Sequence, residues 1–192
     1  GLSENDIAIL EVGELSTRKN HKVIIDALEK LADQRYVFLI CGKAMSNLGT
    51  YDFLKKYAVE KNVRVIFLGF RKDIPEINRC ADIAVLPSLR EGLGLAGIEA
   101  LASGVPVVGS DVQGIKDYVV DGETGYLAEP GNPDSFAIAI QKALNLTETE
   151  YRNMSARIVA YAKKRCDAEN YIEKLCKIYE ELINGKQHKE NG

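Results

Sequence analysis

Short apolar runs alternate with helical periodicity along almost the whole chain, and few folds accept that pattern. Runs at 7–12, 36–41, 64–68, 82–86, 106–109 and 126–128 are rich in branched and aromatic residues and read as strands. Around them, spacing predicts helices over 19–33, 46–61, 73–80, 95–103, 133–144, 148–164 and 167–183. In the first helix Val23, Ile24, Ala27, Leu28 and Leu31 fall on one face. In the last, Tyr171, Ile172, Leu175, Ile178, Tyr179, Leu182 and Ile183 form a broad apolar stripe. The strands are apolar from end to end, so both of their faces are covered. The expected class is therefore α/β, a parallel sheet with helices on both faces in a Rossmann-like arrangement. Residues 1–184 read as one domain and 185–192 as a flexible polar tail. Ligands bind such sheets beyond the carboxyl ends of the strands. Chemistry is accordingly expected in the loops at 13–18, 42–45, 69–72, 87–94 and 110–114.

Composition removes several classes of function. A net charge of −3 argues against general nucleic-acid binding. No apolar run approaches the roughly 18 residues of a membrane span, and the first residues lack a signal-like segment. The chain opens on Gly1 and reads as a piece of a longer protein. Cys41, Cys80, Cys166 and Cys176 show no C-x-x-C spacing, and His21 and His188 are the only histidines. That pattern gives no metal site and is read as buried free thiols in a reducing cytoplasm.

The segment from Glu91 to Pro106 is the most informative stretch. It sets Glu91 and Glu99 eight positions apart around a glycine run, the first on a loop and the second on the helix that follows. A helix N-terminus with free amides attracts phosphate. Carboxylates beside it are poor phosphate ligands and good acceptors for sugar hydroxyls. Together they point to a nucleotide-sugar. Gly92, Gly94 and Gly97 also spell G-x-G-x-x-G, the dinucleotide fingerprint, with Asp111 as a conceivable ribose acid. Five residues separate the preceding strand from Gly92, however, and the unit comes fourth along the sheet, which argues against a dehydrogenase.

The longer string is more specific. From Glu91 to Pro106 the chain resembles the E-x7-E segment of family 4 glycosyltransferases, which have the GT-B fold. Val12-Gly13-x-Leu15 followed by Lys19 is similar to that family's first loop. Leu68-Gly69-Phe70, Ala81-Asp82-Ile83 and Pro87-Ser88 match its middle. Gly114-Ile115, Asp121-Gly122-x-Thr124-Gly125-Tyr126-Leu127 and Pro130-Gly131 match its tail. The resemblance covers nearly the whole chain and only the C-terminal, donor-binding half of the fold.

That resemblance implies roles. Glu99 would accept hydrogen bonds from the two ribose hydroxyls, and Glu91 would face hydroxyls of the transferred sugar. The amides of Gly92, Leu93, Gly94 and Leu95 would meet the sugar or diphosphate, and Lys19 would neutralise the diphosphate. Phe70 and Arg71 would contact the base, commonly uracil, through their backbone. Where many relatives carry a phosphate-binding arginine, this chain has Glu14, and neighbouring Arg18 is the candidate replacement. The string from Val12 to His21 is similar to a subgroup associated with capsule and exopolysaccharide synthesis. The implied reaction retains configuration at the anomeric carbon and needs no metal or other cofactor. The implied partners are a UDP-sugar donor and an N-terminal acceptor-binding domain missing from this chain. The expected location is the cytoplasm, at the inner membrane face where the missing half associates peripherally. Two alternatives stay open: a non-catalytic nucleotide-sugar binding subunit, and another GT-B enzyme such as a sugar-nucleotide epimerase.

Overall fold

A computed structural model describes residues 2–44 and 49–190, with the side chains of 166 and 184–190 outside that description. Among the described residues, six strands pair in parallel in the order β3-β2-β1-β4-β5-β6. They are β1 (Ile7–Val12), β2 (Tyr36–Cys41), β3 (Arg64–Gly69), β4 (Ile83–Leu86), β5 (Val107–Ser110) and β6 (Gly125–Ala128). The register sets Ile9 opposite Phe38 on one side of β1 and Leu10 opposite Ala84 on the other. The central strands are buried on both faces, as their unbroken apolar sequences require.

Helices form a layer on each face. On one side α1 (His21–Leu31) packs on α5 (Pro133–Leu144) and on α2 (Thr50–Glu60). On the other, α4 (Leu95–Ala102) packs on α6 (Glu148–Cys166) and α3 (Ile74–Asn78). Phe38, Ile24, Ile25, Ile40, Leu101 and Phe136 are among the fully buried side chains between the layers.

Helix ends explain where boundaries moved. Asn20 is left-handed (φ 53°), so α1 starts at His21 rather than 19 and Lys19 belongs to the loop. Gly49, also left-handed, sets the start of α2 at Thr50. The earlier part of the expected 46–61 helix lies outside the described residues. The final helix, α7 (Ala168–Glu190), continues seven residues beyond the expected end at 183. It makes no substantial packing contact with another described element. Its Tyr171, Ile172, Ile178, Tyr179, Leu182 and Ile183 are exposed. The expectation of buried thiols needs correction as well: Cys41 is buried, but Cys80 and Cys176 are exposed. No helix among the described residues is long and apolar enough to cross a membrane.

This strand order reverses between β1 and β4. At that switch point the loops leave for opposite faces of the sheet and open a crevice beyond the strand ends.

Candidate functional site

The loops after β1 and β4 meet in that crevice. The amide of Leu89 donates to the Arg18 carbonyl at 2.9 Å, tying the two loops together. On the other flank the amides of Gly13 and Leu15 donate to the carbonyls of Cys41 and Lys43, fastening the β1 loop to the end of β2. These backbone bonds fix where the next side chains stand.

Glu91 is the hub. One of its carboxylate oxygens accepts from Arg18 at 3.1 Å and from the Lys19 ammonium at 3.3 Å. The Lys19 and Glu91 side chains are each only 11% exposed, so this pair is shielded from water. Arg18 also donates to Glu14 at 3.1 Å and to the Arg90 carbonyl at 3.2 Å. Its hydrogen bond to Glu14, joined by one from Ser16, holds the Glu14 carboxyl below the usual range. Thus Glu14 does not stand alone as a repulsive charge, and Arg18 bridges it to Glu91. Two cations and two carboxylates balance here.

Beside the hub, the β4–α4 loop presents unused donors. No hydrogen bond to a described residue takes up the amides of Gly92, Leu93, Gly94 or Leu95. A methyl group at Gly92 would meet nothing within 4 Å, so this backbone is open to close approach. Gly94 and Gly97 have a different reason to be glycine. The Tyr118 hydroxyl donates to the Gly94 carbonyl at 2.9 Å and fills the space their side chains would need. The apparent dinucleotide fingerprint is thus partly a packing device, and Asp111 is occupied by Lys116 at 3.5 Å.

A second recess of about 410 Å³ lies over the ends of β1, β2 and β3. It is lined by Gly13, Glu14, Cys41, Lys43, Phe70 and Arg71 among others. The Phe70 ring is exposed and lies 5.1 Å from the Lys43 ammonium, an arrangement suited to a flat ring or a charge. Arg71 donates to Asp73 at 2.8 Å, and that guanidinium draws the Asp73 carboxyl down to about 2.

Not every expected residue joins the hub. Glu99 is exposed on α4, with no hydrogen-bond or ion-pair partner for its carboxylate among the described residues. It borders a groove against α6 with Val159 and Lys163. Its carboxylate is therefore solvated rather than buried. Sequence reasoning passed over Glu11, His21, Lys43 and Tyr118. For Glu11 there was a signal, a carboxylate inside an otherwise apolar strand.

The family model described as Glycosyl transferases group 1 matches residues 1–165. The chain belongs to this family. Among curated relatives, the group 1 chain is 28% identical over 192 residues to N-acetyl-alpha-D-glucosaminyl L-malate synthase of Bacillus anthracis, covering 97% of itself and 49% of that protein. It spans about half or less of the length of the first curated relatives it matches. Among solved structures, Anabaena HepE in complex with UDP superposes with a TM-score of 0.84 at 26% identity, over 92% of this chain and 49% of that one. The C-terminal domain of a group 1 family glycosyl transferase from Francisella tularensis has the same fold, with a TM-score of 0.75 at 22% identity. It covers 84% of this chain and 87% of that one. The group 1 chain therefore has the fold of the C-terminal half of a GT-B glycosyltransferase.

Proposed function

We propose that residues 1–184 form the donor-binding domain of a retaining glycosyltransferase, which moves a sugar from a UDP-sugar to a hydroxyl acceptor in polysaccharide or glycan synthesis. The observation that carries this reading is the juxtaposition of Arg18, Lys19 and Glu91 with the unused amides of Gly92 to Leu95. The cations and amides suit a diphosphate, and the carboxylate suits sugar hydroxyls. HepE, solved with UDP, supports the nucleotide class. The Phe70 and Arg71 recess is the place for the base, and the unpaired Glu99 carboxylate is available to a vicinal ribose diol. The acceptor-binding half belongs to a further domain, and any membrane association at the cytoplasmic face runs through it.

In this reading the diphosphate replaces Glu91 as the partner of Lys19 and Arg18. Glu91 then turns to the transferred sugar. As the glycosidic bond to the nucleotide breaks, negative charge grows on the leaving phosphate, where both cations and the α4 amides stabilise it without rearranging. Calorimetry with UDP, UDP-glucose and NADH on this chain tests the reading. Binding of both uridine ligands without NADH is expected; NADH binding alone would restore the dehydrogenase. With an acceptor domain supplied, release of UDP dependent on acceptor separates a transferase from a binding subunit.

A further inference from the structure

Beneath the ion-paired hub lie two ionisable side chains to which the reading above gives no task. Glu11 is the fifth residue of β1, in a strand otherwise made of Ile, Ala, Leu and Val, and is 2% exposed. His21 opens α1 and is 1% exposed. The imidazole Nε2 lies 3.4 Å from Glu11 Oε1, and neither side chain forms a hydrogen bond to a described residue. Residues two apart on a strand share a face, so Glu11 points to the same side as Gly13. The Lys19 stem lies over that glycine, with Cε 3.1 Å from where a methyl group at Gly13 would sit. Carboxyl, imidazole and lysine stem therefore stack at the carboxyl end of one strand, with Glu91 beyond the ammonium.

An isolated charge at such a depth is costly, and a neutral acid facing a neutral imidazole costs far less. Burial pushes the Glu11 carboxyl well up; Lys19 draws it back and Glu91 pushes it further. Burial, with help from Lys19, lowers His21 to about 4. Lys22 lines the same recess as His21 but has Asp26 as its own partner. We propose that Glu11 and His21 form a neutral buried pair, which leaves the Lys19 charge directed at the anion site. Both are positioning residues. An ionised Glu11 would neutralise Lys19 from below and compete with an incoming diphosphate. The inference rests on the donor-site reading only in taking that anion to be a nucleotide diphosphate.

The test combines two measurements on this chain. The ¹³C shift of the Glu11 carboxyl carbon, assigned by its loss in Glu11→Gln, is expected to be that of a protonated acid at neutral pH. A carboxylate shift would overturn the pair. In calorimetry, Glu11→Gln is expected to bind UDP within about twofold of wild type. The ratio of the two affinities should stay flat across about pH 6–8, where an unshifted histidine titrates. A tighter variant, or a ratio that changes with pH, would show an ionised group beneath Lys19 and end the proposal. If Glu11→Gln fails to fold, the pH dependence of the wild-type carbon shift decides alone. If the chain binds no UDP, the donor-site reading fails while the shift still judges the pair.

Discussion

A methyl group at Gly97 would sit 2.4 Å from the Tyr118 hydroxyl, and one at Gly94 2.6 Å from it. Gly97→Ala must therefore push Tyr118 aside in a packed core, at a cost of about 1–3 kcal/mol. For a chain of this size each kcal/mol lowers Tm by roughly 2–4 °C. An unchanged Tm would mean that the glycine serves ligand approach instead. The acids differ in what their loss should do. Glu99→Ala is expected to weaken UDP binding by about 1.5–3 kcal/mol, the worth of a charged hydrogen bond, or roughly 10- to 150-fold. Glu91→Gln should harm UDP-sugar binding more than UDP binding, because UDP lacks the hydroxyls Glu91 would contact. Calorimetry showing equal losses would remove that assignment. The Glu91, Gly92 and Glu99 pattern was legible as a string; the Arg18 and Lys19 ion pairs to Glu91 were not, since they join positions 72 and 73 residues apart.

Among the elements, α5 shows how a local signal sets a boundary. Asn132 accepts from the amides of Asp134 and Ser135, and Pro133 fills the first helical position, where no amide is missed. Asn132→Ala should cost about 0.5–2 kcal/mol, read by urea unfolding. No change would mean that packing of α5 on α1 alone holds the helix end. The unit of β1 and α1 carries a pH signature. His21 is lowered to about 4 in the fold and titrates near 6.5 when unfolded, so its contribution is complete above 6.5 and lost as pH falls toward 4. That loss amounts to roughly 3 kcal/mol. Glu11, held protonated by burial, acts with opposite sign, its contribution fading as pH rises above 4.5. The two oppose each other between these values in wild type. Glu11→Gln removes one of them, so its unfolding free energy should climb more steeply with pH than that of wild type. Parallel curves would show that Glu11 does not stay protonated.

For the molecule as a whole, α7 is the element least bound to the rest. Its Tyr171, Ile172, Ile178, Tyr179, Leu182 and Ile183 are all exposed on the one helix. Ending the chain after Cys166 should leave Tm within about 2 °C and reduce self-association. A large fall in Tm would show that α7 stabilises the sheet directly. What the sequence settled by itself was the order of elements and the burial of the strands: apolar runs of strand length and helical stripes are written locally, within a turn or two. It also pointed to the loops that meet at the switch point, because the crevice of a parallel sheet opens at the carboxyl ends of its strands. The tertiary structure alone decided that Glu91 faces Lys19 and Arg18 while Glu99 stands apart, that Tyr118 dictates two glycines, and that Glu11 meets His21. Each of these depends on which strands lie side by side, and β1 lies next to β4 although two strands and three helices separate them in the chain. Adjacency of that kind comes from burying the whole sheet at once, and no local pattern encodes it.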